Sequence, residues 1–354
     1  MNKKRDLILT IILLIALFGL ATYANFEMGR YVRRIINLSL IYAIIGLSMN
    51  VTNGFAGQFA LGQAGFMAIG AYVVAIFTVP VAERADVFYA VPMNPAIADI
   101  QFPMWLALIL GGLLAAAVAF LIGLPILRLR GDYLAIATLG FSEIIRILIT
   151  NAQTITNGAL GIKNIPTISD IRYIYVITAI TFILIALLMN SSYGRAFKAI
   201  REDEIAAEAM GINLFRHKSL AFMVSAFFAG IGGGLYGALL GTVDPKNFLF
   251  TLTYNFLLII VLGGMGSITG SMLGAAIVTT GLEYLRYFDE PLSMFGVAIP
   301  LFRPGLRMVM FSALLMACVL FWRKGIMGTR EFTWDGFFAL IKDPIGFFRK
   351  KGAK

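Results

Sequence analysis

Long apolar runs separated by short polar stretches set the expected fold of this chain. Ten runs are long enough to consider as membrane spans: 7–24, 33–50, 58–80, 104–127, 132–150, 172–190, 218–241, 249–266, 269–286 and 305–323. A bilayer core of about 30 Å takes roughly 20 apolar residues per helix. In lipid every backbone polar group must find its partner within the protein, so only helices and closed barrels cross, and these runs are too continuous for barrel strands. The pattern predicts an all-α integral membrane protein of about ten transmembrane helices over residues 1–330, with an interfacial tail at 331–354.

Composition supports this. The 354 residues are 59% hydrophobic and only 14% charged, against about 25% charged in a soluble domain. The single Cys318 forbids an internal disulfide, and the single His217 excludes a multi-histidine metal site. Orientation follows from the placement of Lys and Arg, which collect on the cytoplasmic side. With both termini inside, eighteen of them fall in inner segments and seven in outer loops, although Arg30, Arg33 and Arg34 oppose the trend. Lys3, Lys4 and Arg5 ahead of an apolar run also resemble a signal peptide, with Thr22–Ala24 as a cleavage site. The run is long enough to span, which favours a retained first helix.

Three longer connections, 81–103, 151–171 and 287–304, are expected outside and are candidate docking surfaces. The tail mixes Trp334, Phe337, Phe338, Phe347 and Phe348 with Lys342, Arg349, Lys350 and Lys351. That mixture suits a helix lying on an anionic inner leaflet, and equally a frayed basic end.

Two glycine-rich stretches, "GFAGQFALGQAG" (54–65) and "GGMGSITGSMLG" (263–274), fall where an inward helix turns outward, and suggest an internal repeat. Transporters often carry interrupted helices at such places. Asn50, Asn53, Gln58 and Gln63 cluster at the first stretch. Glu143 lies well inside the fifth run, with Arg146 on the same helix face. Polar groups in the membrane are costly unless paired or facing a wet interior. Asn50, Gln58, Gln63, Glu143 and Arg146 are therefore candidates to line a translocation pathway; bracing between helices is the alternative for each.

The densest charge lies in "GRAFKAIREDEIAAEAMGIN" (194–213), within a connection at 191–217. Ala196, Phe197, Ala199 and Ile200 form a short amphipathic turn-pair. Glu202, Asp203 and Glu204 then open a second helix, where the macrodipole favours negative charge and Asp203 can cap. Gly211 stands where a left-handed terminating residue belongs. Ala206, Ala207 and Met210 would form a small smooth face suited to a groove on a partner.

This stretch resembles the cytoplasmic coupling loop of ATP-binding-cassette importer permeases. Their Glu-Ala-Ala-x-x-x-Gly pattern appears here as Ala206, Ala207 and Gly211, with Ile205 in place of the Glu and with Glu204 and Glu208 nearby. Together with "GFAGQFALGQAGFMAIGAY", "LRGDYLAIATLGFSEIIRILITN", "ITNGALGI" and "LGGMGSITGSMLGAA", it resembles the branched-chain amino acid permease subunit of the LivM type over roughly 35–330. The resemblance implies alternating access in a prokaryotic inner membrane, driven by two cytoplasmic ATPase subunits. It also implies a second permease of the LivH type and an extracellular substrate-binding protein, with no nucleic acid involved. The coupling residues it implies are Glu202, Asp203, Glu204, Ala206, Ala207, Glu208, Met210 and Gly211. No phosphate-binding G-x-x-x-x-G-K-[ST] loop occurs, so this chain is expected to bind no ATP or other cofactor and to catalyse nothing itself. Related permeases for urea, amides or other amino acids fit the same motifs. A secondary transporter using Glu143 remains a rival, and a membrane enzyme is a more distant one for want of clustered catalytic groups.

Overall fold

The computed structural model describes residues 3–129 and 131–285, then 293–294, 297–298, 309–310, 312–313, 316–317, 320, 325–328 and 331–334. Most of the expected span 305–323, most of the connection 287–304 and the tail beyond 334 lie outside these residues.

Helices account for nearly all of the regular structure. They are α1 (Lys3–Glu27), α2 (Arg30–Asn50), α3 (Gln63–Thr78), α4 (Arg84–Val87), α5 (Pro95–Ala98), α6 (Met104–Ile126) and α7 (Asp132–Asn151). Then follow α8 (Gln153–Thr156), α9 (Ile171–Asn190), α10 (Ser192–Glu202), α11 (Glu204–Ala209), α12 (Leu214–Leu240), α13 (Thr251–Gly263) and α14 (Ile268–Leu285). One small antiparallel hairpin pairs β1 (Ser293–Met294) with β2 (Val297–Ala298), an addition to the expected all-helical fold. Side-chain caps set several helix starts. Asn94, Asp170, Asp203 and Asn213 each accept a backbone N–H from the first turn of α5, α9, α11 and α12. Such caps satisfy N–H groups that have no partner within the helix.

Six of the described helices are long and apolar enough to cross a membrane, or seven if the bent pair of α3 with Val81–Val87 counts as one. The expectation of about ten is thus only partly met. The run 58–80 becomes helical only at Gln63, because Gly57 takes a positive φ of 68° and the chain stays non-helical to Gly62. The run 249–266 yields the 13-residue α13, about 20 Å long and too short to span alone.

The glycine-rich α12 forms the centre and packs on α2, α3 and α6. Glycines let these backbones nearly touch. A Cβ added at Gly70 would sit 1.9 Å from the Gly230 carbonyl oxygen, and one at Gly233 would sit 2.0 Å from that of Met67. Small residues at crossings are what dispersion-driven packing in lipid selects. α1 is peripheral, packing chiefly on α9.

At the α3 C-terminal end, the connections 81–103 and 151–171 interlock. Asn94 N donates to Thr154 O at 2.9 Å, and Asn157 Nδ2 donates to Val87 O at 2.9 Å. The buried Arg84 guanidinium donates to the carbonyls of Ile76, Val79, Ile97, Ala98 and Ile100. It thereby satisfies the open carbonyl end of α3 and pins the connection over it.

Candidate functional site

The two glycine-rich stretches are both helix interruptions, and they meet. After α2 the chain makes one π-helical turn, Val51–Phe55, and then runs non-helically to α3. The second interruption separates α13 from α14 through Gly264 and Gly266, both at positive φ. Asn50 joins them. Its Nδ2 donates to Ser267 O at 2.8 Å and Ser271 Oγ at 2.7 Å, and its Oδ1 accepts from Gly266 N at 2.8 Å. A Cβ at Gly54 would lie 2.5 Å from Gly266 N, so the backbones touch.

The C-terminal segment completes the second interruption. Ile326 N and Met327 N donate to the Leu262 and Gly263 carbonyls at 2.8 and 3.0 Å, covering the end of α13. Glu331 accepts from Ile268 N at 2.7 Å and Thr269 N at 3.2 Å, capping α14. Trp334 Nε1 donates to Thr10 Oγ1 at 3.1 Å. The part of the expected tail that is described, Glu331–Trp334, is therefore packed onto the bundle.

α10 packs against the first interruption and is joined to α11 at the extended residue Asp203. Gly194, Phe197 and Ile200 are the buried residues of α10, three apart on one face. Asp203 Oδ1 accepts from Ile205 N and Ala206 N at 2.8 and 3.1 Å, as the cap reading expects. At the other end Gly211 N donates to Glu208 O and Ile212 N to Ala207 O. With Gly211 at φ 83°, this is a Schellman closure. Six residues are too few for a helix to persist by propensity alone; here both ends are closed.

A family described as "Branched-chain amino acid transport system / permease component" matches residues 31–319. The chain belongs to this family. It is 37% identical over 311 residues to the high-affinity branched-chain amino acid permease LivM of Escherichia coli (strain K12), covering 78% of this chain and 69% of that protein. It is 25% identical to the guanosine permease NupQ of Bacillus subtilis (strain 168), over 81% of this chain and 90% of that one. A shorter match, 33% over 106 residues, joins it to LivH of Escherichia coli (strain K12), covering 30% of this chain and 34% of LivH. No solved structure matches the chain. This is a permease component and a multi-pass protein of the inner cell membrane.

The candidate residues of this permease separate into three groups. Asn50 and Gln63 are held by their own chain: Gln63 Nε2 donates to Ser48 Oγ at 2.5 Å and its Oε1 accepts from Ser225 at 3.4 Å. Both brace the interruption. Gln58 is buried, and neither amide atom has a partner among the described residues. Glu143 and Arg146 pair at 2.7 Å on α7, each about one quarter exposed, and Glu143 also accepts from Phe250 N at 3.3 Å. No bond joins this pair to the amide cluster among the described residues.

The expected smooth face on α11 is divided. Ala207 is only 4% exposed and is buried within its own chain, whereas Ala206 and Met210 face outward. The large exposed apolar residues of this helix are Ile205 at 73% and Met210 at 83%. Glu204 pairs with Lys218 of α12 at 2.5 Å and Glu202 with Arg201 at 2.6 Å, which leaves Glu208 outward. Sequence reasoning missed Ile205, which it treated only as a departure from the pattern. It also missed Arg201 and Glu331, whose partners are 147 and 63 residues away.

Proposed function

We propose that this chain is one permease subunit of an ATP-driven importer for branched-chain amino acids. It works with a second permease of the LivH type, two cytoplasmic ATPase subunits and an extracellular binding protein. The chain itself binds no ATP or other cofactor. Ile205 and Met210 on α11 insert into the ATPase, and Asp203 and Gly211 hold the short helix rigid enough to be pushed. Ala207 supports α11 from inside. Gln58, Glu143 and Arg146 are the polar groups offered to the pathway. The observation that carries the reading is the short charged helix α11, closed at both ends and exposed on one side, joined at Asp203 to α10, whose Arg201 lies against both helix interruptions. The likeness to LivM over most of the chain supports the substrate class. The likeness to NupQ favours a second reading, a nucleoside cargo for the same machine.

Replacing Met210 and Ile205 with Asp in the assembled complex tests the drive. The expected result is a complex that still inserts but takes up substrate at a rate at least about tenfold lower per ATP hydrolysed. Uptake at the original ratio would reject α11 as the driven element. Calorimetry of the cognate binding protein with leucine and with guanosine separates the two cargo readings.

A further inference from the structure

Arg201, the penultimate residue of α10, reaches the point where the two helix interruptions meet. Its Nη1 donates to Gly54 O at 3.0 Å. A Cβ added at Gly266 would sit 2.8 Å from that same nitrogen, so the guanidinium lies against the second interruption as well. A Cβ at Gly57 would fall 3.0 Å from Arg201 Cα, so the end of α10 rests directly on the positive-φ glycine that breaks the helix after α2. Lys198, one turn earlier, stands 5.7 Å over the Phe55 ring, within cation–π range. On its other edge the guanidinium is held by Glu202, which accepts from Nε at 3.1 Å and Nη2 at 2.6 Å.

We infer that Arg201 is a positioning residue for transport: it transmits displacement of α10 and α11 to both interruptions at once. The inference rests on the reading of α11 as the driven element. A planar fork with five donors can hold a carboxylate on one edge and a backbone carbonyl on the other, which an ammonium cannot match. Its acceptor in the first interruption is a backbone oxygen, so a pull on the fork acts on the chain direction there and not on a movable side chain. Asn50 ties Gly266 and Ser267 to the end of α2. Gly54 also lies directly against Gly266 N, so a shift imposed at Gly54 reaches the start of α14 by backbone contact as well as through the Asn50 amide. Coupling of this kind needs an element with two arrangements that both ends can bias; the glycine interruptions are the segments that depart from α-helical bonding, through a π-helical turn at Val51–Phe55 and positive-φ glycines at Gly264 and Gly266.

The test uses the assembled transporter in liposomes, with R201A and R201K. Three quantities are read: basal ATPase, uptake per ATP, and nucleotide-dependent hydrogen exchange at 51–58 and 264–268. The expected R201A complex assembles and keeps basal ATPase within about twofold, while uptake per ATP falls at least about tenfold. The exchange response at both interruptions disappears, and R201K recovers part of each because it can still donate to Gly54 O. An R201A complex with the original uptake ratio and exchange response overturns the inference. Should R201A fail to assemble, R201Q is judged by the same two readouts. If the variant with Asp at Ile205 and Met210 uncouples and R201A does not, only the role of Arg201 fails; if neither uncouples, the reading of α11 fails with it.

Discussion

The crossing of α3 and α12 permits a sharp test, because one chemical change should have opposite signs at different glycines. In Gly70→Ala the new methyl would lie 1.9 Å from Gly230 O and 2.4 Å from its carbonyl carbon. Both obstacles are backbone, so no rotamer can yield. Restoring an ordinary 3.4 Å contact requires the helices to part by about 1.5 Å. A gap of 0.5–1 Å already forfeits a quarter to a half of each dispersion contact it opens. The loss extends to neighbours at the crossing, including Gly111, whose own added Cβ would lie 3.1 Å from Gly70 O. Overpacking usually costs about 1–3 kcal/mol, and a backbone-on-backbone clash belongs at or above the top of that range. Gly140 in α7 and Gly281 in α14 have nothing among the described residues within 4 Å of an added Cβ. There Ala should be neutral or stabilise by up to about 1 kcal/mol, by reducing the freedom of the unfolded backbone. Thermal unfolding in detergent, followed by size-exclusion fluorescence, should show a lower midpoint by several degrees for Gly70→Ala and no decrease for the other two. Equal midpoints for all three would refute the claim that direct backbone contact holds the centre together.

Three further outcomes are expected. Asn50→Ala leaves the buried Gly266 N–H without its acceptor and should destabilise by roughly 2–3 kcal/mol, with faster hydrogen exchange at Gly266; an unchanged exchange rate would show that Asn50 is not the brace. Arg84→Lys replaces a fork serving five carbonyls with a point donor and should lower the melting midpoint while loosening residues 81–103 to proteolysis; wild-type proteolysis would count against it. The Asp170 carboxyl is held below its usual range, first by the side-chain hydrogen bond from Arg172. Its stabilising effect is thus present above the unfolded value of about 3.9 and fades as pH falls through the lower folded value. Asp170→Asn keeps a capping side chain and removes the charge, so any stability deficit seen at pH 6 should shrink by about pH 3. A deficit that stays constant with pH would assign the effect to something else.

Much of the helical architecture was legible because period and length speak directly to membrane solvent. The runs 104–127, 132–150 and 172–190 reappear almost to the residue as α6, α7 and α9. Hydropathy fails where a segment is apolar and yet not regular. Gln58–Gly62 lies within an unbroken apolar run, but Gly57 and Gly62 flank it and the buried Thr138 hydroxyl receives its Leu61 N–H. Nothing in a hydropathy window registers a bond to a helix 77 residues away. At the charged helices the caps were readable, because Asp203 and Gly211 act within a few residues of themselves. The facing of α11 was not, since Ala206 and Ala207 are chemically alike and only the packing beneath decides which turns inward.

The same distinction explains why the densest charge stands in the middle of so oily a chain. On the proposed reading, a helix driven from outside the membrane must be polar on the side that meets water and apolar where it seats, and the buried Phe197 and Ile200 of α10 would supply the seat. To act on the interior it must also reach regular helices at a place where they can bend. Intact helices resist, because every backbone group is already bonded along the segment. Each interruption instead frees backbone groups, which must be satisfied from elsewhere in the fold. Gly54 O takes its proton donor from Arg201, Gly266 N gives its proton to Asn50, and the start of α14 gives two more to Glu331. Among these bonds, the one from Arg201 is the one that joins an interruption to the charged helix pair. A charged helix set between the two glycine-rich stretches in sequence, with Arg201 lying against both, is the arrangement the proposed drive would require.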